Sequence, residues 1–247
     1  AMVVSALVII TYTILGGFRA VCTTDLLQSI VMSIALITIV VYGVNSAGGF
    51  DAVAANASAL PGYLSLNATY DAANNTSSPY GFLSIISTMA WGLGYFGMPH
   101  ILVRFMSIED ENKLTLSRRI ASIWVVFAMA VAIFIGVIGL AMSKSGAMVS
   151  LADSETVIIA IANILSQHGL LTALLAGVIL AGILAATMST ADSQLLAASS
   201  GFSENLLKDF FGVKISEKQS ILVARITVVV ISIISVFLAR DPNSSVF

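Results

Sequence analysis

The sequence predicts an all-α protein that is embedded in a membrane. Hydrophobic residues make up 58% of the 247 residues and charged residues only 10%, a composition too apolar for a water-soluble domain. The apolar residues gather in stretches close to the roughly 20 residues that a helix needs to cross a bilayer. Basic residues, in contrast, collect in alternate connections between these stretches, as they do in multi-pass proteins.

Six apolar stretches are the predicted transmembrane helices. They cover approximately residues 1–16, 26–44, 82–103, 120–142, 170–199 and 221–239. The first is short, and the chain begins inside it without the basic segment and cleavage site of a signal peptide. We therefore expect residues 1–247 to be part of a larger transmembrane domain, with further helices before residue 1.

The basic residues predict which side of the membrane each connection occupies. One side carries nine of them, namely Arg19, Arg104, Lys113, Arg118, Arg119, Lys208, Lys214, Lys218 and Arg225, whereas only Lys144 and Arg240 fall on the other. Lysine and arginine are retained in the cytoplasm during insertion, so the first side is predicted to be cytoplasmic. The polar segment 45–80 is then an outer loop, and the apolar residues at helical spacing in 153–169 predict a helix on the outer face.

Several classes of function are excluded by the composition and by the motifs. The lone Cys22 cannot form an intrachain disulfide, and a formal charge of -2 provides no basic field for nucleic acid. The sequence has no glycine-rich phosphate loop, no metal-spaced His and Cys set and no Gly-x-Ser-x-Gly elbow, so we do not expect an enzyme. Asp25 and Asp192 could meet across helices as in an intramembrane protease, but neither has a protease motif around it.

The stretch "WGLGYFGMPH" places helix breakers inside a predicted span. The breakers are Gly92, Gly94, Gly97 and Pro99. Irregular backbone at membrane depth is tolerated where it is buried in protein or lines a wet cavity. Trp91, Tyr95 and Pro99 follow one another at intervals of four and therefore share a face. The residue types leave two interpretations open, a kinked and closely packed helix or the wall of a binding cavity.

The stretch "LAATMSTADSQLL" places oxygen-bearing side chains on one face of another span. Ser189, Asp192 and Ser193 are spaced i, i+3 and i+4, with Thr190 and the backbone of Ala186 beside them. Hydroxyl, carboxylate and carbonyl oxygens are the ligands that hard cations such as sodium prefer. Alternatively, the hydroxyls bond back to their own helix and Asp192 reaches water at the cytoplasmic end.

Four stretches, in this order, resemble the sodium/solute symporter family. They are "YTILGGFRAVCTTDLLQS", "AWGLGYFGMPHILVRFM", "SRRIASIWVV" and "ILAATMSTADSQLL". The resemblance covers essentially the whole chain and implies the LeuT-type inverted-repeat fold, with the six spans as core helices four to nine. It also implies sodium-coupled symport of a small solute, with L-proline as the expected substrate, across a bacterial or archaeal cytoplasmic membrane.

The resemblance assigns roles to individual residues. For the substrate it implies Trp91, Tyr95 and Pro99, beside a helix broken at Gly92, Gly94, Gly97 and Pro99. For a first sodium ion it implies Ala186, Ser189 and Thr190. For a second sodium ion, which some members bind, it implies Asp25, Ser189, Asp192 and Ser193. By its sequence context alone, Asp25 would be an ordinary helix N-cap.

Two departures from the family pattern leave alternatives open. Asp192 is a carboxylate where a hydroxyl is commoner, which would suit tighter sodium binding, a proton site or a carboxylate pair that shares one proton. The resemblance implies that the first core helix, which completes both sites in the family, would lie before residue 1, so the chain is not expected to transport alone. Pantothenate or a sugar as substrate and a transporter-like sensor domain are the alternative functions.

Overall fold

The computed structural model of the chain describes residues 2–72, 74–95 and 97–239, and these are mainly helical. The α-helices are α1 (Met2–Ser46), α2 (Phe50–Ser58), α3 (Phe82–Tyr95), α4 (Pro99–Met106), α5 (Leu114–Lys144), α6 (Val157–Ser166), α7 (Leu170–Ser200) and α8 (Glu217–Leu238). A π-helix, Gly201–Phe210, continues α7, and short 3₁₀-helices occupy Glu111–Lys113 and Ser154–Thr156. Strands β1 (Ala68–Asp71) and β2 (Thr76–Pro79) form an antiparallel hairpin.

Four helical segments of the described chain are long and apolar enough to cross a membrane. They are Val3–Ser46, Glu111–Lys144, Leu170–Phe210 and Glu217–Leu238. The prediction of a mainly helical membrane protein is therefore confirmed, whereas the described chain has four such helices and not six separate spans, and it also contains a β-hairpin. Arg240, counted above among the outer basic residues, lies outside the described residues.

The predicted connection between the first two spans is a kink at Gly17 and not a loop, because α1 is helical on both sides of this residue. The polar side chains of this region stay inside the helix: the Thr23 and Thr24 hydroxyls donate to the carbonyls of Arg19 and Ala20, at 2.9 and 3.1 Å. Only Gly17 departs from helical geometry, with φ of 56° and ψ of -150°. This backbone conformation is almost confined to glycine, so Gly17 marks a kink between two helical parts of α1.

The predicted span 82–103 is divided into two short helices. α3 ends at Tyr95, where the amide of Gly97 donates to the carbonyl of Gly94 at 3.1 Å. Met98 is extended, with φ of -68° and ψ of 118°, and Pro99 is the first residue of α4. Proline suits this position because the first amide of a helix has no intrahelical acceptor.

The chain forms two compact units, which we describe separately. Unit 2 comprises Val31–Gly97 and Ile108–Gly182 and has an apolar core. The buried core residues are Ala35, Ile39, Ala47, Val53, Ile135, Ile138, Ala141, Met142, Met148, Ile161, Ala162, Leu165, Ala176 and Ile179. α7 approaches α1 closely in this unit, since a Cβ on Gly182 would lie 2.7 Å from the Cβ of Ala35.

The two long polar connections of the sequence contain structure of their own in unit 2. Segment 45–80, predicted as a turn-rich loop, includes α2 and the β1–β2 hairpin, and α2 buries Val53 and Ala57. Segment 153–169 contains α6, as its apolar spacing predicted, and α6 buries Ile161, Ala162 and Leu165. Both connections are therefore partly anchored in the apolar core.

Unit 1 comprises Ala1–Ile30, Met98–Ser107 and Ile183–Phe247. The described buried polar residues all fall in this unit, and they are Thr13, Asp192, Ser193, Ser199, Ser203, Ser220 and Ser232. The π-helix is tied to α8 by a hydrogen bond from the Ser220 hydroxyl to the Glu204 carboxylate. α8 itself begins with a capping box formed by Ser216 and Gln219.

Candidate functional site

Asp192 is the centre of a buried polar network in unit 1. It lies on α7 with no exposed surface, and it accepts a 2.6 Å hydrogen bond from the hydroxyl of Tyr12 on α1. The Ser193 hydroxyl lies 3.2 Å from its other carboxylate oxygen. This burial rules out the interpretation in which Asp192 reaches water at the helix end.

A salt bridge continues the network toward Asp25. Arg104, on α4, donates through Nη2 to Oδ2 of Asp25 at 2.6 Å and to Oγ of Ser193 at 2.5 Å. The chain of contacts therefore runs from Asp25 through Arg104 and Ser193 to Asp192 and Tyr12. Of the residues predicted for the second sodium site, the structure places Asp25, Asp192 and Ser193 in one network.

Some buried polar atoms of α1 in this unit carry no hydrogen-bond partner within the described part of the chain. They are Thr13 Oγ1, Asp25 Oδ1 and Gln28 Oε1. Carboxylate and amide oxygens without donors are ready acceptors, so this end of the network has a capacity to bind a cation or a donor group.

The residues predicted for the first sodium ion lie along one face of α7. The Thr190 hydroxyl donates to the Ala186 carbonyl at 3.2 Å, and the Ser193 hydroxyl donates to the Ser189 carbonyl at 2.9 Å. Ser189 is partly buried, whereas Ala186 and Thr190 are exposed. The hydroxyls thus bond to their own helix in this structure, and the face presents hydroxyl and carbonyl oxygens together.

A cavity of about 630 Å³ opens beside the salt bridge within unit 1. It is lined by Arg104 and Ser193 and also by His100, Glu204 and Lys208. Lys208 pairs with Glu204, with Nζ 2.7 Å from Oε2. Charged groups of both signs therefore border a solvent-accessible cavity next to the buried network.

The residues predicted to bind the substrate lie on the two short helices. Trp91 and Tyr95, on α3, expose 65% and 56% of their surface. Pro99, on α4, lines a cavity of about 540 Å³ in unit 1 together with Gln194 and Asn205. Gly92 and Gly94 lie within α3, and a Cβ on either would meet nothing within 4 Å.

The sequence-based prediction missed Tyr12 and Arg104. The sequence places Arg104 among the basic residues predicted to be cytoplasmic and Tyr12 within an apolar span, and neither pattern indicates a site residue. Their partners are 79 residues away, from Arg104 to Asp25, and 180 residues away, from Tyr12 to Asp192. The signal available in the sequence is the position of Asp192 inside a long uncharged helix. A carboxylate at such a position requires hydrogen-bond donors from other helices.

Ionisable residues inside span-length apolar helices are rare and typically mark ion and solute pathways. The structure places Asp25 on α1 and Asp192 on α7, both of which are long enough to cross a bilayer, and Arg104 on the short helix α4 pairs with Asp25. These features are those of a multi-pass membrane protein. The chain belongs to the sodium:solute symporter family, whose model matches residues 1–247.

Curated relatives agree with this assignment. The osmoregulated proline transporter OpuE of Bacillus subtilis is 37% identical over 240 residues, which cover 97% of this chain and 46% of the relative. The high-affinity proline transporter PutP of the same organism is 38% identical over 97% of the chain and 47% of its own length. The sodium/proline symporter 2 of Staphylococcus saprophyticus is 36% identical over 98% of the chain and 45% of its own length.

The chain therefore spans about half the length of the curated relatives it matches. No solved structure matches it significantly.

Proposed function

We propose that this chain is part of a sodium-coupled symporter that carries L-proline across a bacterial cytoplasmic membrane. The observation that carries the proposal is the polar face of α7, where the hydroxyls of Ser189 and Thr190 precede the buried carboxylate of Asp192 in an otherwise apolar helix. Oxygen ligands of this kind suit sodium, which is also named in several of the relatives. The relatives' printed names support proline as the solute.

The proposed fold is the LeuT-type inverted repeat, with this chain as core helices four to nine. In that scheme α1 supplies two spans, one on each side of Gly17, and α3 with α4 supplies the broken sixth core helix. The remaining spans are α5, α7 and α8. The side that carries most of the basic residues would face the cytoplasm.

The proposed first sodium site uses the Ala186 carbonyl and the hydroxyls of Ser189 and Thr190. These groups occupy positions i, i+3 and i+4 and therefore share a face of α7. Thr190 would exchange its 3.2 Å hydrogen bond to Ala186 for coordination of the ion, since both oxygens have lone pairs to offer.

The proposed substrate site uses Trp91, Tyr95 and Pro99. An aromatic wall with a polar tip suits a small apolar ring, and helix ends such as those on either side of Gly97 suit the charged ends of an amino acid. A sugar would require more hydrogen-bonding side chains than this stretch contains.

The sodium gradient supplies enough free energy for this symport. One sodium ion that enters across 100 mV releases about 2.3 kcal/mol, and a tenfold concentration gradient adds about 1.4 kcal/mol. Together they support roughly 500-fold accumulation of a neutral solute per ion. This is a useful concentrating power for an uptake system.

The test is uptake of labelled proline by membrane vesicles that contain the full-length gene product. We expect uptake to depend on an inward sodium gradient and to be lost in Ser189→Ala with Thr190→Ala. Thr187→Ala is the matched control, because its hydroxyl also bonds to its own helix, at 3.1 Å from the Ile183 carbonyl, but lies outside the proposed site. Uptake that ignores sodium, or survives the double substitution unchanged, would contradict the proposal.

The same vesicles test the substrate. Unlabelled proline is expected to abolish uptake of the label, whereas equal concentrations of pantothenate or glucose are expected to leave it intact. If pantothenate or glucose competes and proline does not, the competing solute is the substrate. This result would leave the proposed sodium coupling unchanged.

A further inference from the structure

A hydrogen bond joins the β-hairpin of unit 2 to the helix that carries Trp91 and Tyr95. The hydroxyl of Tyr80, the residue after β2, lies 2.8 Å from Oγ1 of Thr88 on α3. We propose that Tyr80 is a positioning residue, which fixes the face of α3 that holds Trp91 and Tyr95 and thereby sets the affinity for the transported solute. This inference rests on the proposed function, because it concerns the proposed substrate site.

Thr88 lies on the same face of α3 as the two aromatic residues. Trp91 and Tyr95 follow it at i+3 and i+7, which is the spacing of one helical stripe. At a rise of 1.5 Å per residue, Thr88 lies about 4.5 Å along the axis from Trp91 and about 10.5 Å from Tyr95. Tyr80 therefore contacts this stripe about one turn before the proposed substrate site, on the side of the predicted outer segment 45–80.

The hydrogen bonds of Thr88 define the direction of this contact. Its hydroxyl donates to the carbonyl of Ser84, one turn earlier in α3, at 2.9 Å. A threonine hydroxyl has a single proton to donate and two lone pairs that accept, so the Tyr80 hydroxyl is the donor to Thr88. The pair therefore needs a hydroxyl on both residues, and either one can be removed with a nearly isosteric substitution.

α3 has little packing of its own within unit 2 that would fix its orientation. None of its described residues is buried. The most exposed apolar side chains, with 72% to 81% of their surface accessible, are Phe82, Leu83, Met89 and Leu93. A segment with few buried contacts moves easily, so a specific hydrogen bond has a large share in holding one of its faces in place.

Tyr80 is itself anchored to the apolar core of unit 2 through the hairpin. Its amide donates to the carbonyl of Asn67 at 2.8 Å, which extends the β1–β2 pairing by one residue pair. Gly62 packs against β2, since a Cβ on it would lie 2.7 Å from the Cβ of Ser77. α2, which precedes this turn, buries Val53 in the core. Tyr80 therefore transmits the position of a folded, anchored segment to α3.

The experiment compares the kinetics of proline uptake by vesicles that contain the full-length protein, at saturating sodium. Tyr80→Phe removes only the donor hydroxyl, and we expect it to raise the KM for proline about fivefold, the effect of one hydrogen bond, with an unchanged maximal rate. Thr88→Val loses the acceptor and is expected to raise the KM at least as much. Thr88→Ser keeps the hydroxyl and is expected to keep the wild-type KM.

The matched control is Tyr70→Phe. The Tyr70 hydroxyl donates to Oδ1 of Asn75 at 3.0 Å inside the hairpin, so its loss should leave the KM for proline unchanged. A variant that merely folds less well would lower the maximal rate and leave the KM as it is. A rise in the KM alone therefore separates positioning of the site from damage to the fold.

Hydrogen exchange measures the effect on α3 without a substrate. In purified full-length protein in nanodiscs, we expect the amides of Phe82–Tyr95 to exchange faster in Tyr80→Phe than in the wild type. Tyr70→Phe is expected to exchange like the wild type in this helix.

Three results would each overturn the inference. They are an unchanged KM in Tyr80→Phe, an unchanged exchange rate of α3 in that variant, and an equal rise of the KM in Tyr70→Phe. Failure of the proposed function has a different signature, namely a wild type without sodium-dependent proline uptake. In that case the exchange rate of α3 still decides whether Tyr80 positions this helix.

Discussion

In unit 2 the described buried side chains are apolar, with Ile39, Ile135, Ile138 and Ile179 each at most 1% exposed. In unit 1 the described buried set includes a carboxylate, a threonine and five serines, and the apolar contribution is limited to Ile9, Val21, Ala185 and Val228. Burial of polar groups in a membrane protein is costly and needs a functional reason. The contrast indicates that unit 2 provides stability, and it agrees with our proposal that the coupling ion binds in unit 1.

The largest expected effect on stability comes from a cavity in unit 2. Ile138 is fully buried, so Ile138→Ala should lower the free energy of unfolding by about 2 to 5 kcal/mol. Ile138→Val, the matched control, should cost about 0.5 to 1.5 kcal/mol. Both are measured by denaturant titration of the purified protein in micelles, and equal losses for the two variants would mean that this core is not closely packed.

The next effect is expected in the polar network of unit 1. Tyr12→Phe removes the 2.6 Å hydrogen bond to Asp192, and a hydrogen bond to a charged group contributes about 1.5 to 3 kcal/mol. Tyr42→Phe is the control, since the Tyr42 ring packs edge-on against His168 in unit 2 and the substitution keeps that ring contact. The same titration applies, and a loss for Tyr42→Phe as large as that for Tyr12→Phe would contradict the importance of the network.

A smaller effect is expected at the kink in α1. Gly17→Ala places a side chain at φ of 56°, which costs about 1 to 3 kcal/mol of backbone strain, although a Cβ there meets nothing within 4 Å. Gly177→Ala in α7 also has open space but helical geometry, so it should stabilise by about 0.5 to 1 kcal/mol. Thermal unfolding of the two variants should therefore shift in opposite directions, and a shared direction would argue against the kink.

The smallest effect is expected at Thr13, whose buried hydroxyl has no hydrogen-bond partner in the described chain. Replacement of an unsatisfied polar group by an apolar group of the same shape is nearly neutral or stabilising, so Thr13→Val should change stability by less than about 1 kcal/mol. Thr24→Val, in contrast, loses hydrogen bonds to the carbonyls of Ala20 and Val21. A marked destabilisation by Thr13→Val alone would show that its hydroxyl has a partner.

The sequence was sufficient to predict the helices and breaks that depend only on neighbouring residues in the chain. The spans expected at 120–142, 170–199 and 221–239 agree closely with α5 (Leu114–Lys144), α7 (Leu170–Ser200) and α8 (Glu217–Leu238), because a long apolar run alone is enough to define them. The break near Gly97 was also visible, since glycine and proline act through their own backbone.

Features that depend on contacts between distant residues were not predictable. The polar residues after Gly17 suggested a loop, whereas α1 keeps them helical through hydrogen bonds to its own carbonyls. The π-helix Gly201–Phe210 lies partly in a predicted connection, and no sequence pattern indicates the hydrogen bond between Glu204 and Ser220 that joins it to α8. Arg104 and Tyr12 became site residues only when the fold placed them beside Asp25 and Asp192.

The central claim is that the polar residues of unit 1 bind the coupling ion, whereas the apolar core of unit 2 does not contribute to its affinity. The most direct measurement is the sodium concentration that gives half-maximal proline uptake in Ser189→Ala and in Ile138→Val. We expect Ser189→Ala to raise this concentration about tenfold, equivalent to about 1.4 kcal/mol, and Ile138→Val to leave it unchanged. An unchanged value for Ser189→Ala, or an equal rise in both variants, would contradict the account.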